Sequence, residues 1–317
     1  DATDFEASTN KLNEERKKLS TKDRVAYTSH TMFYPFTIDD CFLSSSQNLF
    51  PVEYAIKHKN DLLESGQYSG MLCDVFLESG NKLGTTKSNK QLAGFPFSGG
   101  VIDAPVQIFE MPQSNRFDDF IYVAGQDPYK QAKSDTPSLG SFYIFKRRVG
   151  IRDPYAYRIV ASYVSRPSSI DQFCRTCEVL QKGYGAICLM ENADQMYEQY
   201  LNRKSGMPAS FFLFAGEAIA NKYVKAGSRQ NSKLGLYPTP GNQNLLFSCV
   251  VDYCWQDFVI GYDDQTGLDI TVKGIELIDD IALLDEIIQY KPGLNVDRII
   301  AFGHALFLAR YFDDNNY

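Results

Sequence analysis

The sequence predicts an α/β fold with a mixed sheet flanked by helices, and three observations predict it. Residues 120–126, 141–148 and 156–165 are strand-like runs, the last two joined by a short connection, as in an antiparallel three-strand meander. A helical pattern follows, then a continuously apolar run at 186–190, as expected of a parallel strand buried on both faces. The chain closes with two helical segments, 278–290 and 296–311, which completes an α/β order of strands and covering helices.

The elements are expected in the following order. Residues 5–26 are polar and charge-rich and read as an exposed helix. The stretch Tyr34 to Phe42, with Pro35 near its start, leads into a short helix. Residues 52–63 again have helical character, and 65–105 are rich in Gly, Ser and Asn with short apolar pieces, consistent with small strands and loops. A boundary near 112–115 divides the chain into an N-terminal linker or subdomain region, 1–111, and a second domain, 112–317. In the second domain Ser168 is the expected N-cap of a helix whose Ile170, Phe173, Cys177 and Leu180 recur at helical spacing. Gly183 and Gly185 should end it. Beyond the run at 186–190 we expect a helix over 193–203, a Phe-rich strand at 210–214, a helix at 242–258 and a strand over 267–272.

Composition narrows the function classes. The 317 residues are 44% hydrophobic and 22% charged, as in an ordinary globular protein. No apolar stretch approaches the length that spans a bilayer, so no membrane partner is expected. The first residues carry neither a basic start nor an apolar core, so they do not read as a signal peptide. The chain starts at Asp1 without Met, as expected for a fragment or a processed chain. Seven scattered cysteines, an odd number, read as reduced thiols, and Cys174-x-x-Cys177 has no second pair to complete a zinc site. The spacing in Gly80–Ser88 is wrong for a phosphate-binding loop. A net charge of −7 argues against nucleic acid as a whole-chain average. Locally, however, no acid occurs between Glu217 and Asp252, where Lys222, Lys225, Arg229 and Lys233 gather, and Lys146-Arg147-Arg148 forms a second basic cluster.

Three carboxylates stand where the chain passes from buried to exposed. Asp127 ends the first strand of the meander, Glu191 ends the run 186–190, and Asp297 lies in the first turn of the last helix. Ligands of open α/β sheets gather beyond the carboxyl ends of strands. Asp297, Ala301, Ala305 and Ala309 fall at steps of four, a stripe of small residues that would let the helix approach the sheet closely. Oxygen ligands so arranged suit hard divalent cations, and two such cations can assist phosphodiester hydrolysis. Each acid also has a plain structural use: a turn at Asp127-Pro128, a strand end at Glu191, a favourable helix-dipole contact at Asp297.

Several segments carry a family resemblance. Asp127-Pro128-Tyr129 with Asp135, residues 138–145, 159–167, Met190-Glu191-Asn192, 242–246, 281–288 and 295–301 resemble the nuclease domain of the large terminase subunit of tailed bacteriophages, especially that of crAss-like phages. The resemblance covers about 112–312, and Tyr34–Phe42 resembles the family's stretch between motor and nuclease. It implies an RNase H-like fold and a metal-dependent endonuclease that cuts concatemeric viral double-stranded DNA during genome packaging. It further implies two Mg²⁺ or Mn²⁺ ions. The family's metal-binding acids map onto Asp127, Glu191 and Asp297, and a further loop acid maps onto Asp135. Lys130, Lys222, Lys225, Arg229 and Lys233 are the candidate DNA contacts. The implied partners are the portal protein and the small terminase subunit, and the implied location is the host cytoplasm during phage assembly. The family's ATPase motor would need a Walker A sequence; none occurs here, so no ATP hydrolysis is expected of this chain. The competing readings are another RNase H-like nuclease, such as a junction resolvase, and a non-catalytic module that docks the motor to the portal and guides DNA.

Overall fold

The computed structural model describes residues 5–20, 30–31, 34, 36, 48–65, 70–129, 138–147, 156–193, 195–206, 208–216, 234–263, 266–291 and 293–315. The helices are α1 (Phe5–Ser20), α2 (Val52–Glu64), α3 (Ile170–Tyr184), α4 (Met196–Lys204), α5 (Pro240–Trp255), α6 (Ile281–Ile288) and α7 (Asp297–Asp314). The strands are β1 (Met71–Leu77), β2 (Leu83–Lys87), β3 (Val106–Ile108), β4 (Tyr122–Asp127), β5 (Gly140–Lys146), β6 (Arg158–Ser165), β7 (Ile187–Met190), β8 (Asp257–Asp263) and β9 (Leu268–Lys273).

One mixed sheet of seven strands runs in the order β2-β1-β3-β6-β5-β4-β7. All its neighbours are antiparallel except β4 and β7, which are parallel and aligned so that Gln126 pairs with Met190. The expected meander is β4-β5-β6. The sheet also runs through the sequence boundary at 111/112, because β1, β2 and β3 extend it beyond β6. Met71 pairs with Ile108 and Gln107 with Ser162, so these residues complete the same sheet as β4–β7.

Strand alternation gives the sheet two dry faces. On one, Tyr122, Ala124, Phe142, Ile144, Cys188 and Met190 pack under α3 and α4. On the other, Val123, Tyr143, Phe145 and Leu189 pack under α2, α5, α6 and α7. Helix α7 is buried around most of its circumference, including Ala301, Ala305 and Ala309, which marks it as the central helix of its layer. Two close backbone approaches seat it. A Cβ on Gly125 of β4 would stand 2.0 Å from the Ala301 carbonyl oxygen and 2.4 Å from the Ala305 nitrogen, and one on Gly303 would stand 2.7 Å from the Leu246 oxygen of α5. The small-residue stripe thus does what its spacing predicts.

Local rules account for the ends of these elements. Gly185 stops α3 in the left-handed region (φ 62°), its N–H reaching the carbonyls of Gln181 and Lys182. The expected cap Ser168 lies one residue early; Ser169 precedes the helix, and no side chain caps it. Helix α5 starts at Pro240, with the Thr239 hydroxyl accepting from the Asn242 N–H. Asp280 caps α6 through the Leu283 N–H and accepts a second bond from the buried Tyr143 hydroxyl.

Two expectations are corrected. Residues 210–214 form no strand: after Pro208, Ala209–Phe211 make a 3-10 turn whose carbonyl at Ala209 takes the N–H groups of Phe212 and Leu213. Phe211 and Phe212 then stack edge-on against Phe117, and only Leu213 forms a bridge, to Cys188. The helix expected to reach 258 ends at Trp255, because Asp257–Asp263 form β8 and pair with β9 in a separate two-stranded ribbon. The six described cysteines are buried free thiols, and burial pushes the Cys174 thiol up to about 12. None of the described helices is long and apolar enough to cross a membrane.

Candidate functional site

The three acids chosen from the sequence line one open cleft of about 620 Å³. Asp127 is the last residue of β4, and Glu191 follows β7 with its N–H on the Gln126 carbonyl. Gln126 pairs with Met190, so Asp127 and Glu191 come next in register and share a face. It is the face of Gly125, against which α7 lies. Asp297 opens α7, so the helix brings its amino end to the carboxyl ends of the two strands.

Asp297 is the most buried of the three. It is 8% exposed. Its carboxylate accepts from the Leu139 N–H at 2.7 Å, the Asn295 amide at 2.8 Å and the Ser138 hydroxyl at 3.2 Å. Burial raises its pKa above the usual carboxylate range, and these three donors oppose the rise. The first turn of α7 is held from beneath. Glu286 accepts from the Ile299 N–H at 2.9 Å and faces Arg298 at 3.5 Å, both side chains being buried. Arg298 also donates to the carbonyls of Ala93 and Gly94. Burial pushes the Glu286 carboxyl up to about 8, against the pull of Arg298 and the Ile299 N–H.

The remaining cleft wall is neutral: Gln243, Asn244 and Phe247 of α5, with Tyr290, Leu294, Asn295, Val296 and Ile300 around the start of α7. The sequence reading did not single out Ser138, Asn295, Gln243, Phe247 or Tyr290 as site residues. The Thr239-Pro240 helix start places Gln243 and Asn244 near the amino end of α5.

Other expected site residues fall elsewhere. Asp135, Lys130, Lys222, Lys225, Arg229 and Lys233 lie outside the described residues. The basic cluster at 146–148 is not a free patch in its described part. Lys146 is buried and bonded to Glu110 at 2.8 Å, and Arg147 is buried and paired with Asp313 at 2.6 Å. His304 packs inside α7 with its Nδ1 on the Ile300 carbonyl. Among the described residues, no group of three or more His, Cys, Asp and Glu side chains is set to hold a metal ion as it stands. No protein-family model and no curated protein matches the chain.

Proposed function

We propose that the chain is a divalent-metal-dependent endonuclease with an RNase H-like core, acting on double-stranded DNA during viral genome packaging as a terminase nuclease domain does. One observation carries this reading: Asp127, Glu191 and Asp297, separated in sequence, line a single open cleft at two parallel strand ends and a helix start. The meander β4-β5-β6 with β7 parallel to β4 is consistent with that core; β1–β3 are an addition to it.

The donor set fits a hard cation. It consists of carboxylate oxygens, with no thiolate or imidazole among the described lining residues. Asp127, Glu191 and Asp297 would be the residues that hold two Mg²⁺ or Mn²⁺ ions. The chemistry such ions supply is charge stabilisation of the attacking and leaving oxygens of a phosphodiester. The chain's own residues do the positioning: Ser138, Leu139 and Asn295 orient Asp297, and the strand pairing fixes Asp127 beside Glu191. Lys130, Lys222, Lys225, Arg229 and Lys233 are proposed to contact the phosphate backbone, which would make binding strongly salt-dependent.

Asp127→Ala should lose more than about 100-fold of Mn²⁺-supported plasmid cleavage, beyond what loss of an outer-shell partner costs, while its melting temperature stays that of the parent. Undiminished cleavage by that variant overturns the assignment. A second reading has one observation in its favour. Asp297 already holds Leu139, Ser138 and Asn295, as it would in a non-catalytic module that docks the motor to the portal. Titration with Mn²⁺ decides between them, since only the nuclease takes up the metal through Asp127.

A further inference from the structure

The cleft has two unlike halves. Asp127, Glu191 and Asp297 form one; Gln243, Asn244, Phe247, Tyr290 and Leu294 form the other. The second half carries no charge. It combines flat apolar faces with amides that both donate and accept. Gln243 and Asn244 stand one helical turn from Phe247 on α5, so amide and ring share a face. The Phe247 and Tyr290 rings lie 4.6 Å apart at 38°. Behind them the fully buried Phe50 meets both edge-on, at 5.1 and 5.8 Å. Phe50 is itself fixed, because the Asn48 side chain accepts its N–H and donates to the Ile287 and Ile288 carbonyls at the end of α6. This aromatic wall is therefore rigid and preformed, and the cleft volume is that of a small-molecule site.

We infer that this neutral half is a nucleobase subsite. A base beside the scissile phosphate leaves its stack and lies against Phe247 and Tyr290, while Gln243 and Asn244 read its edge. The identity of the ligand rests on the nuclease reading above; the wall itself does not. The substrate class is thus a nucleotide whose base is unstacked at the cut, rather than a duplex gripped by its backbone alone.

Titration calorimetry of the full chain tests this, with each of the four 2′-deoxynucleoside 5′-monophosphates and with 2-deoxyribose 5-phosphate, in Mn²⁺ and in EDTA. In Mn²⁺ the nucleotides should bind roughly ten- to a hundredfold tighter than the sugar phosphate, the range that one base–aromatic stack is worth. Phe247→Ala and Tyr290→Leu should each shrink that ratio toward one while leaving Mn²⁺ uptake unchanged. Gln243→Ala, at an exposed position, should leave folding untouched and narrow the spread among the four bases. Equal binding of nucleotide and sugar phosphate, with Mn²⁺ taken up, overturns the base subsite and leaves the nuclease reading standing. Base-dependent binding in EDTA without any Mn²⁺ uptake supports the subsite and removes the nuclease reading.

Discussion

Gln126 and Asp127 are neighbours on β4 and meet opposite fates. Gln126 points to the α3 face, where it is fully buried against the Cys177 thiol. Asp127 points to the α7 face and lines an open cleft. Both faces of the strand are otherwise dry: Ala124 is fully buried on one side, and Gly125 touches the α7 backbone on the other. What differs is where the covering helix stops. α3 runs across the strand end and carries Phe173 and Cys177 over it, Phe173 meeting the Tyr129 ring at 5.7 Å and Cys177 meeting Gln126. α7 begins at Asp297, level with the strand end, and leaves the space beyond it open. A strand end becomes a site where its covering helix starts rather than passes over.

The contrast between the faces is broken most severely at Glu286. This buried carboxyl holds the Ile299 N–H and Arg298, and so fixes the first turn of α7. Glu286→Leu leaves Arg298 without its acid partner and the amide without its acceptor. We expect a loss of about 3–5 kcal/mol in urea unfolding, with cleavage lost as Asp297 drifts. A loss below about 1 kcal/mol would show that the helix start is held by packing alone.

Next in size is the dry floor below the cleft. His304 is buried on α7, its Nδ1–H donates to Ile300, and burial lowers its pKa from 6.5 to about 4. The unfolded chain therefore binds a proton that the folded chain refuses between these values. Stability should fall as pH drops from about 6.5 to about 4, by roughly 3 kcal/mol in all. His304→Leu should flatten that part of the profile, and parallel profiles for variant and parent would refute the assignment.

Smaller still, and sharper as a test of the two faces, is a pair of adjacent substitutions. Gly125→Ala drives a methyl into the Ala301 carbonyl, at a cost of about 1–3 kcal/mol. Because α7 must back away, cleavage should fall with it. Ala124→Gly, on the opposite face, should cost about 1 kcal/mol or less and leave cleavage as it was. Equal effects of the two on cleavage would mean that α7 does not set the cleft.

Much of the candidate site was legible as one cleft because its signals are local. The apolar run 186–190 ends at Glu191, Gly185 sets α3 apart from it while Gly183, expected to end the helix as well, stays inside α3, and the alanine stripe told how close α7 could come. What was not legible depends on distant pairing. Small strands were expected in 65–105, but nothing there announces that β1 and β2 join this sheet through β3, where Gln107 pairs with Ser162. Phe258 follows the apolar end of α5 after only Gln256 and Asp257, so the helical pattern extends to 258, whereas Gln256 takes an extended conformation and β8 starts at Asp257. The neutral wall of the cleft draws on residues 48–50, 243–247 and 290, which meet only in the folded chain. Lys146 and Arg147 looked like a phosphate patch because their partners, Glu110 and Asp313, lie far away in sequence.

The smallest effect on stability is expected at Asp297, and it separates the observed use of that side chain from the proposed one. As an anchor it accepts from Leu139, Ser138 and Asn295. In Asp297→Asn one amide oxygen can still take the Leu139 N–H, and the uncharged group no longer carries the desolvation that raises the Asp297 pKa. The net change should be within about 1 kcal/mol. As a cation ligand the position is far less forgiving, since a neutral amide removes a full negative charge from the cleft. Asp297→Asn should therefore keep the parent melting temperature and lose Mn²⁺ affinity together with cleavage. If both survive, the carboxylate serves only to tie β5 to α7, and the cation must be held by the strand-end acids without it.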